Sequence, residues 1–245
     1  MAFEEIYHSS SDVVKDLAAI SDIIAGLKRT IASSAAIAYE SQDARLVALD
    51  GIQRDIIANG YWINAGIGLR GVCEEKFQGS WQGEYEKRLG TNLGFERTEG
   101  AMLDYLRNTL VVSIHFKIEN LFKNLLREKD GVSPSMNMED MSKSVLELAG
   151  LRPEGREMEV LRALRYMRNS YHSNGVHSRG KDLTLNIDGT KFEFTLNRPV
   201  KCNSWKHLTV LVKASIEALK AILLSGRVSE WRRVIRDDFV STVSP

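Results

Sequence analysis

Hydrophobic and polar positions recur along most of this chain with a period near 3.6, the signature of amphipathic helices packed on a shared core. In DVVKDLAAISDIIAGLKRTIASSAAIAYE, Val13, Leu17, Ile20, Ile24, Leu27 and Ile31 fall on one face, and the Ser-rich residues 9–11 precede them as a start signal. After Ser41, Leu46, Leu49, Ile52, Ile56 and Ile57 continue the pattern. Gly66, Gly68 and Gly71 then weaken it, and QGSWQGEYEKRLGTNLG (78–94) reads as a turn-rich connection and a soft boundary. From about Glu99 a third long helix runs to Gly131, a natural stop. MEDMSKSVLELAG follows, with Asn137 placed to cap it and Gly150 to end it. Pro153 stands where a first-turn proline is tolerated, opening EGREMEVLRALRYMRNSYHSNG, which Asn174-Gly175 closes.

The period then drops to two. DLTLNIDGTKFEFTLN alternates, setting Leu183, Leu185 and Ile187 against Phe192, Phe194 and Leu196 around Asp188-Gly189, a hairpin signal. Asn203 or Ser204 caps a final long helix, and Ser229 starts a short last one. The fold class expected is therefore mainly α: a helical bundle with one β-hairpin, at about 182–197, inserted before the last long helix. An N-terminal helical hairpin over 1–95 packs on a second unit over 96–245.

Composition narrows the function classes. Lys+Arg 33 against Asp+Glu 32 gives a formal charge of +1, so attraction to nucleic acid requires a local patch. With 43% hydrophobic and 27% charged residues the chain reads as folded. Cys73 and Cys202 lack CxxC context and read as small hydrophobes in a reducing compartment. MAFEEIYHSSSDVVKD is acidic where a secretory signal is basic, and the run 56–69 is too short for a bilayer, so a cytoplasmic protein without membrane contact is expected.

Gly66-Ile-Gly68-Leu-Arg-Gly71 matches GxGxxG but follows helical periodicity and lacks the βαβ context, so it reads as a glycine-loosened helix end. His172 and His177 have no third ligand nearby and no HExxH, which argues against a metal. GxSxG is absent.

RYMRNSYHSNGVH (165–177) is different. At about 100° per residue, Arg165, Arg168 and His172 share roughly a 60° arc. Arg168 borders Leu161 and Leu164 of the apolar stripe. A guanidinium so placed needs an anion or a full set of hydrogen bonds, since its desolvation costs several kcal/mol. It either pairs with a carboxylate, Glu119 of the third helix being one candidate, or forms an anion site completed by an imidazole. Arg152, Arg156, Arg162, Arg165 and Arg168 lie on or just before this helix, and the acids interspersed at Glu154, Glu157 and Glu159 stop before its last turns. That gradient places a basic excess near 162–172.

RNSYHSNG in the last turns of a helix resembles the signature of the HEPN superfamily, helical domains of prokaryotic toxins, defence systems and their relatives. IENLFKNLLRE upstream, the hairpin around NIDGTKFEF and the SWKHL start of the last long helix follow in an order similar to some members; the likeness covers roughly residues 99–225. It departs in spacing: Arg168 and His172 have three residues between them, whereas Arg165 and His172 have the six that the family pattern allows. The resemblance implies a metal-independent endoribonuclease without cofactors, acting on RNA as a homodimer, as a toxin or defence effector with an antitoxin or other protein partner. His172 would transfer a proton, Arg168 or Arg165 would stabilise the phosphorane, Asn169 would position the phosphate or the histidine, and Arg162 with Arg165 would hold RNA. Glu119 and His177 would support the site. Superfamily members without activity imply the alternatives: a helical interaction module, or nucleotide binding without turnover.

Overall fold

The computed structural model describes residues 3–38, 42–77, 87, 95–131, 135–178 and 180–237, with side chains given from residue 12 and excepting 67–77 and 95–99. The connection expected at 78–94 lies outside the described residues apart from 87, and the side chain of Cys73 is outside them too.

The chain is mainly helical. Its elements are α1 (Phe3–Ala35), α2 (Ala44–Phe77), α3 (Phe95–Asp130), α4 (Met138–Leu148), α5 (Arg156–His172), β1 (Val176–His177), β2 (Leu183–Ile187), β3 (Thr190–Phe194), β4 (Arg198–Pro199), α6 (Trp205–Leu223) and α7 (Gly226–Ser229). Helix α1 packs on α2 and α6, α2 on α3, and α3, α5 and α6 on one another, with α4 lodged against α3 and α5. Val13, Leu17, Ile20, Ile24, Leu27 and Ile31 are all buried and belong to one hydrophobic cluster with Leu121, Phe122, Leu161, Leu164 and Leu211 of later helices. Each such side chain contributes about 1.5–3 kcal/mol on burial. No helix of the described residues is long and apolar enough to cross a membrane.

Local chemistry explains most element ends. Asn137 Oδ1 accepts from the backbone N–H groups of Glu139 and Asp140 at 2.9 and 3.1 Å, capping α4. Ser204 caps α6 by accepting from the His207 N–H. Asn174 and Gly175 both take positive φ after α5. Asp188 (φ 49°) and Gly189 (φ 79°) form the two-residue turn between β2 and β3, whose register sets Leu183 opposite Phe194 and Leu185 opposite Phe192.

Some expectations are corrected. Helix α1 begins at Phe3 and runs through Ser9–Ser11, and α2 runs unbroken past Gly66, Gly68 and Gly71, which therefore end no helix. Ile57 is 55% exposed, off the face of α2 that Ile52 and Ile56 bury. Pro153 lies in a turn, and Gly155 is the N-cap of α5. Leu196 stands beyond the β2–β3 ladder and is exposed, while Thr190 faces Ile187. Ser225 caps the last short helix and Ser229 ends it. Outside the hairpin, β1 pairs antiparallel with β4, an extension the alternation did not indicate.

Candidate functional site

Helix α5 delivers its polar residues to two different places, and the division follows from which helix each side faces. Arg162 and Arg165 reach α4, where Glu139 takes both: Arg162 Nη2 to Oε1 at 3.2 Å and Arg165 Nη2 to Oε2 at 2.6 Å. Arg165 also lies over the Tyr166 ring, 5.0 Å from its centroid. These two arginines thus brace α4 on α5.

Arg168 turns the other way, into an open groove of about 550 Å³ between α3 and α5. Its Nη1 donates to Asn169 Oδ1 at 3.1 Å, and among the described residues no carboxylate comes within ion-pairing distance. Glu119 lines the same groove but is engaged by Lys123 at 2.7 Å. At the α2 side, Asp55 accepts from Ser113 and Lys117, each at 2.5 Å. Arg168 is half-buried, and Glu119, the carboxylate that lines the groove with it, already holds Lys123. His172 stands at the groove edge, exposed in the last turn of α5.

The structure adds a second imidazole. His115, on α3, lines the groove and is 3% exposed. Its Nδ1 faces Glu119 Oε2 at 3.8 Å, and its Nε2 is buried without a hydrogen-bond partner. Burial drives its pKa down to about 4; Glu119 opposes this, and Arg168, Arg165 and His172 reinforce it. His115 is therefore neutral at pH 7. The Glu119 carboxylate favours the tautomer with the proton on Nδ1.

Asn108 and Tyr171 also line the groove; Asn108 Oδ1 is a further buried atom without a hydrogen-bond partner among the described residues, and the buried Tyr171 hydroxyl stands close to the Arg107 guanidinium. Burial raises the Tyr171 pKa to about 12, so the hydroxyl keeps its proton. Tyr105 and Phe116, also on the groove, are 68% and 54% exposed.

Of the residues singled out from sequence, Arg168, Asn169, His172 and Glu119 come together around the groove, while Arg162 and Arg165 are drawn to Glu139. His177 is elsewhere: it is buried against Tyr166 and Phe194, its Nε2 3.1 Å from the Lys181 carbonyl. Cys202 is buried, and burial raises its thiol pKa to about 11. No group of three or more His, Cys, Asp or Glu among the described residues is arranged to hold a metal ion. Sequence reasoning missed His115, and its one available signal was the i, i+4 spacing to Glu119, which puts both on one helix face.

Compared with known proteins, the chain matches no family model, no curated protein and no solved structure.

Proposed function

We propose that the α3–α5 groove binds RNA and cleaves it without a metal, in the manner the HEPN resemblance implies. The observation that carries this reading is Arg168: a half-buried guanidinium in an open groove, beside an exposed imidazole, with no carboxylate paired to it among the described residues. A purely bracing arginine would hold a carboxylate, as Arg165 holds Glu139. A phosphodiester supplies the missing anion, and charge-assisted bonds to its oxygens strengthen as charge builds in the phosphorane.

In the step proposed, the 2′-oxygen attacks phosphorus and loses its proton to an imidazole. The P–O5′ bond breaks, and the departing 5′-oxygen takes a proton from an acid. The products are a 2′,3′-cyclic phosphate and a 5′-hydroxyl. His172 is the exposed group able to move a proton in either direction, and Asn169 holds the Arg168 fork in place. A second accessible imidazole would come from His172 of another copy, which makes a homodimer part of the proposal, along with a toxin or defence role and a protein partner that restrains it.

One observation favours a second reading, nucleotide binding without turnover: the second imidazole of the groove, His115, has Nε2 buried and Nδ1 against Glu119. The test is cleavage of total and structured RNA by purified protein in EDTA. We expect cleavage by wild type and a loss of about 10²-fold or more in His172→Ala and Arg168→Ala. Wild type that binds RNA but leaves it intact would establish the second reading instead.

A further inference from the structure

Helix α2 carries two stripes with opposite fates. Ile52, Ile56, Asn59 and Ile63 are buried. At about 100° per residue, Ile57, Ala58, Tyr61, Trp62 and Ala65 fall in roughly a 140° arc on the other side of the helix. All five are exposed, Ile57 at 55%, Tyr61 at 66% and Trp62 at 55%. The Tyr61 and Trp62 rings meet edge to face, their centroids 5.7 Å apart. Helices α2 and α3 run antiparallel here: Asp55 accepts from Ser113, and a Cβ on Gly66 would meet Met102 Cε at 3.2 Å. That register sets Trp62 level with Leu106, and Trp62 follows Asp55 by one heptad, which keeps it on the α3 side. Tyr105 of α3, 68% exposed, stands across the seam from it.

We infer that this face of α2 is the surface through which two copies of the chain pair. Charge selects a second copy over a nucleic acid. Residues 56–69 carry no charge. At the near end of the stripe Arg54 holds Asp50 at 3.1 Å, and Lys117 holds Asp55 at 2.5 Å. The stripe therefore offers nothing to a phosphate backbone and nothing that repels its own copy. The area is of the right order. A Tyr or Trp side chain buries about 150–250 Å², so three rings at these exposures withdraw about 300–400 Å² of each copy from water. That is close to half of the ~800 Å² that a stable interface takes from each partner, before Ile57 and the surrounding residues are counted. The shape is self-complementary. Antiparallel pairing about a two-fold axis between Tyr61 and Trp62 sets Ala58 opposite Ala65 of the other copy, and Tyr61 opposite its Trp62. Small residues facing small ones let the helices approach, and the rings meet between them. Helix α2 lies outside residues 99–225, which carry the HEPN likeness, and the inference does not depend on the groove acting on RNA.

The test is the mass of the purified full chain in solution, by sedimentation equilibrium, from submicromolar concentration to about 100 μM. Wild type should be a dimer. Tyr61→Ala and Trp62→Ala should each weaken it about 30-fold or more, the effect of truncating an interface hot spot. Ala58→Glu, which would bury an unpaired charge between the copies, should leave a monomer. All three positions are exposed, so Tm should hold in each variant, and where one loses Tm the other two decide. Monomeric wild type over that range, assembly beyond two copies, or a dimer that the folded variants leave intact would overturn the inference. RNA cleavage by a dimer that survives the three substitutions would leave the proposed function standing and remove this face. A dimer that they break, in a protein that cleaves nothing, would do the reverse.

Discussion

His115 shows how one buried side chain ties the groove to the stability of the fold. Its pKa is about 4 in the folded protein against 6.5 for an unperturbed histidine, first because burial penalises the imidazolium. The unfolded chain therefore binds a proton near pH 6.5 that the folded chain refuses until about pH 4. Stability from this residue is intact above the unfolded value and is lost as pH falls between those two points, by about 3 kcal/mol in all. His115→Gln should flatten the acid slope of Tm or urea midpoint by close to one proton relative to wild type. His207, half-buried and also lowered by desolvation, pushes the same way, so the comparison between variants isolates His115. Parallel slopes for the two proteins would show that His115 is not the group that titrates. The same residue marks the limit of sequence reading at this scale. Arg165, Arg168 and His172 were legible because helical period alone puts them on one arc. His115 sits in the apolar run VVSIHFKI, where a histidine on the buried side carries no local mark of its neighbours. Which arginine faced the groove was equally hidden, because Glu139, the carboxylate that removes Arg165 from contention, arrives on a different helix.

At the scale of elements, that Glu139 fork is the hinge of the site's electrostatics. It holds Arg162 and Arg165 with side-chain exposures of 34% and 20%, so solvent screens the pair only partly. Glu139→Gln should destabilise the protein by about 1–3 kcal/mol, because Arg165 loses its counter-ion where water replaces it poorly. The same change frees two cations on α5, the helix that also carries Arg168. If the groove binds RNA as proposed, affinity should then rise, and the plot of log affinity against log salt should steepen by about one or two phosphate contacts. An unchanged salt slope would show that the two arginines stay out of reach of RNA even when freed. Helix existence was readable here because the apolar period is long and regular in α1, α3 and α6. Caps were readable where a side chain acts locally, as at Asn137 and Ser204. The failures have a common cause: Pro153, Ser229 and Ile57 were assigned from local type or period, whereas the turn before Gly155, the Ser225 cap and the exposed face of α2 depend on chain path and packing.

Over the whole molecule, the end of the described chain is fastened to the beginning of α2 by a buried charge pair. Asp43 and Arg45 are 0% and 1% exposed, and Arg45 Nε meets Asp43 Oδ1 at 2.9 Å. Arg45 also donates to the carbonyls of Trp231 and Arg233, and Asp43 Oδ2 accepts the Ile235 N–H at 2.8 Å. The pair is thus satisfied on both sides only while residues 231–235 lie across it. Nothing local encodes this, since DAR at 43–45 and WRRVIR at 231–236 are at opposite ends of the sequence and neither shows a periodic signal. Removing one partner of a buried pair leaves the other charged and dry, which costs about 3–5 kcal/mol. Asp43→Ala should lower the urea midpoint accordingly and accelerate amide exchange at Ile235, whose acceptor is gone. Arg45→Met replaces the guanidinium with a neutral chain of similar length, but it leaves the Asp43 carboxylate buried with the backbone donors of Arg45 and Ile235 still on it. It should therefore cost less than Asp43→Ala and keep Ile235 protected. If Asp43→Ala leaves Ile235 exchange unchanged, the strap is held by Arg127, whose guanidinium donates to the Arg236 carbonyl, and by the contact of Asn120 with Asp237. Both of those partners lie on α3, the helix that also forms one wall of the groove, so a loosened strap should be felt at the groove, and in the RNA binding proposed for it, as well as in stability.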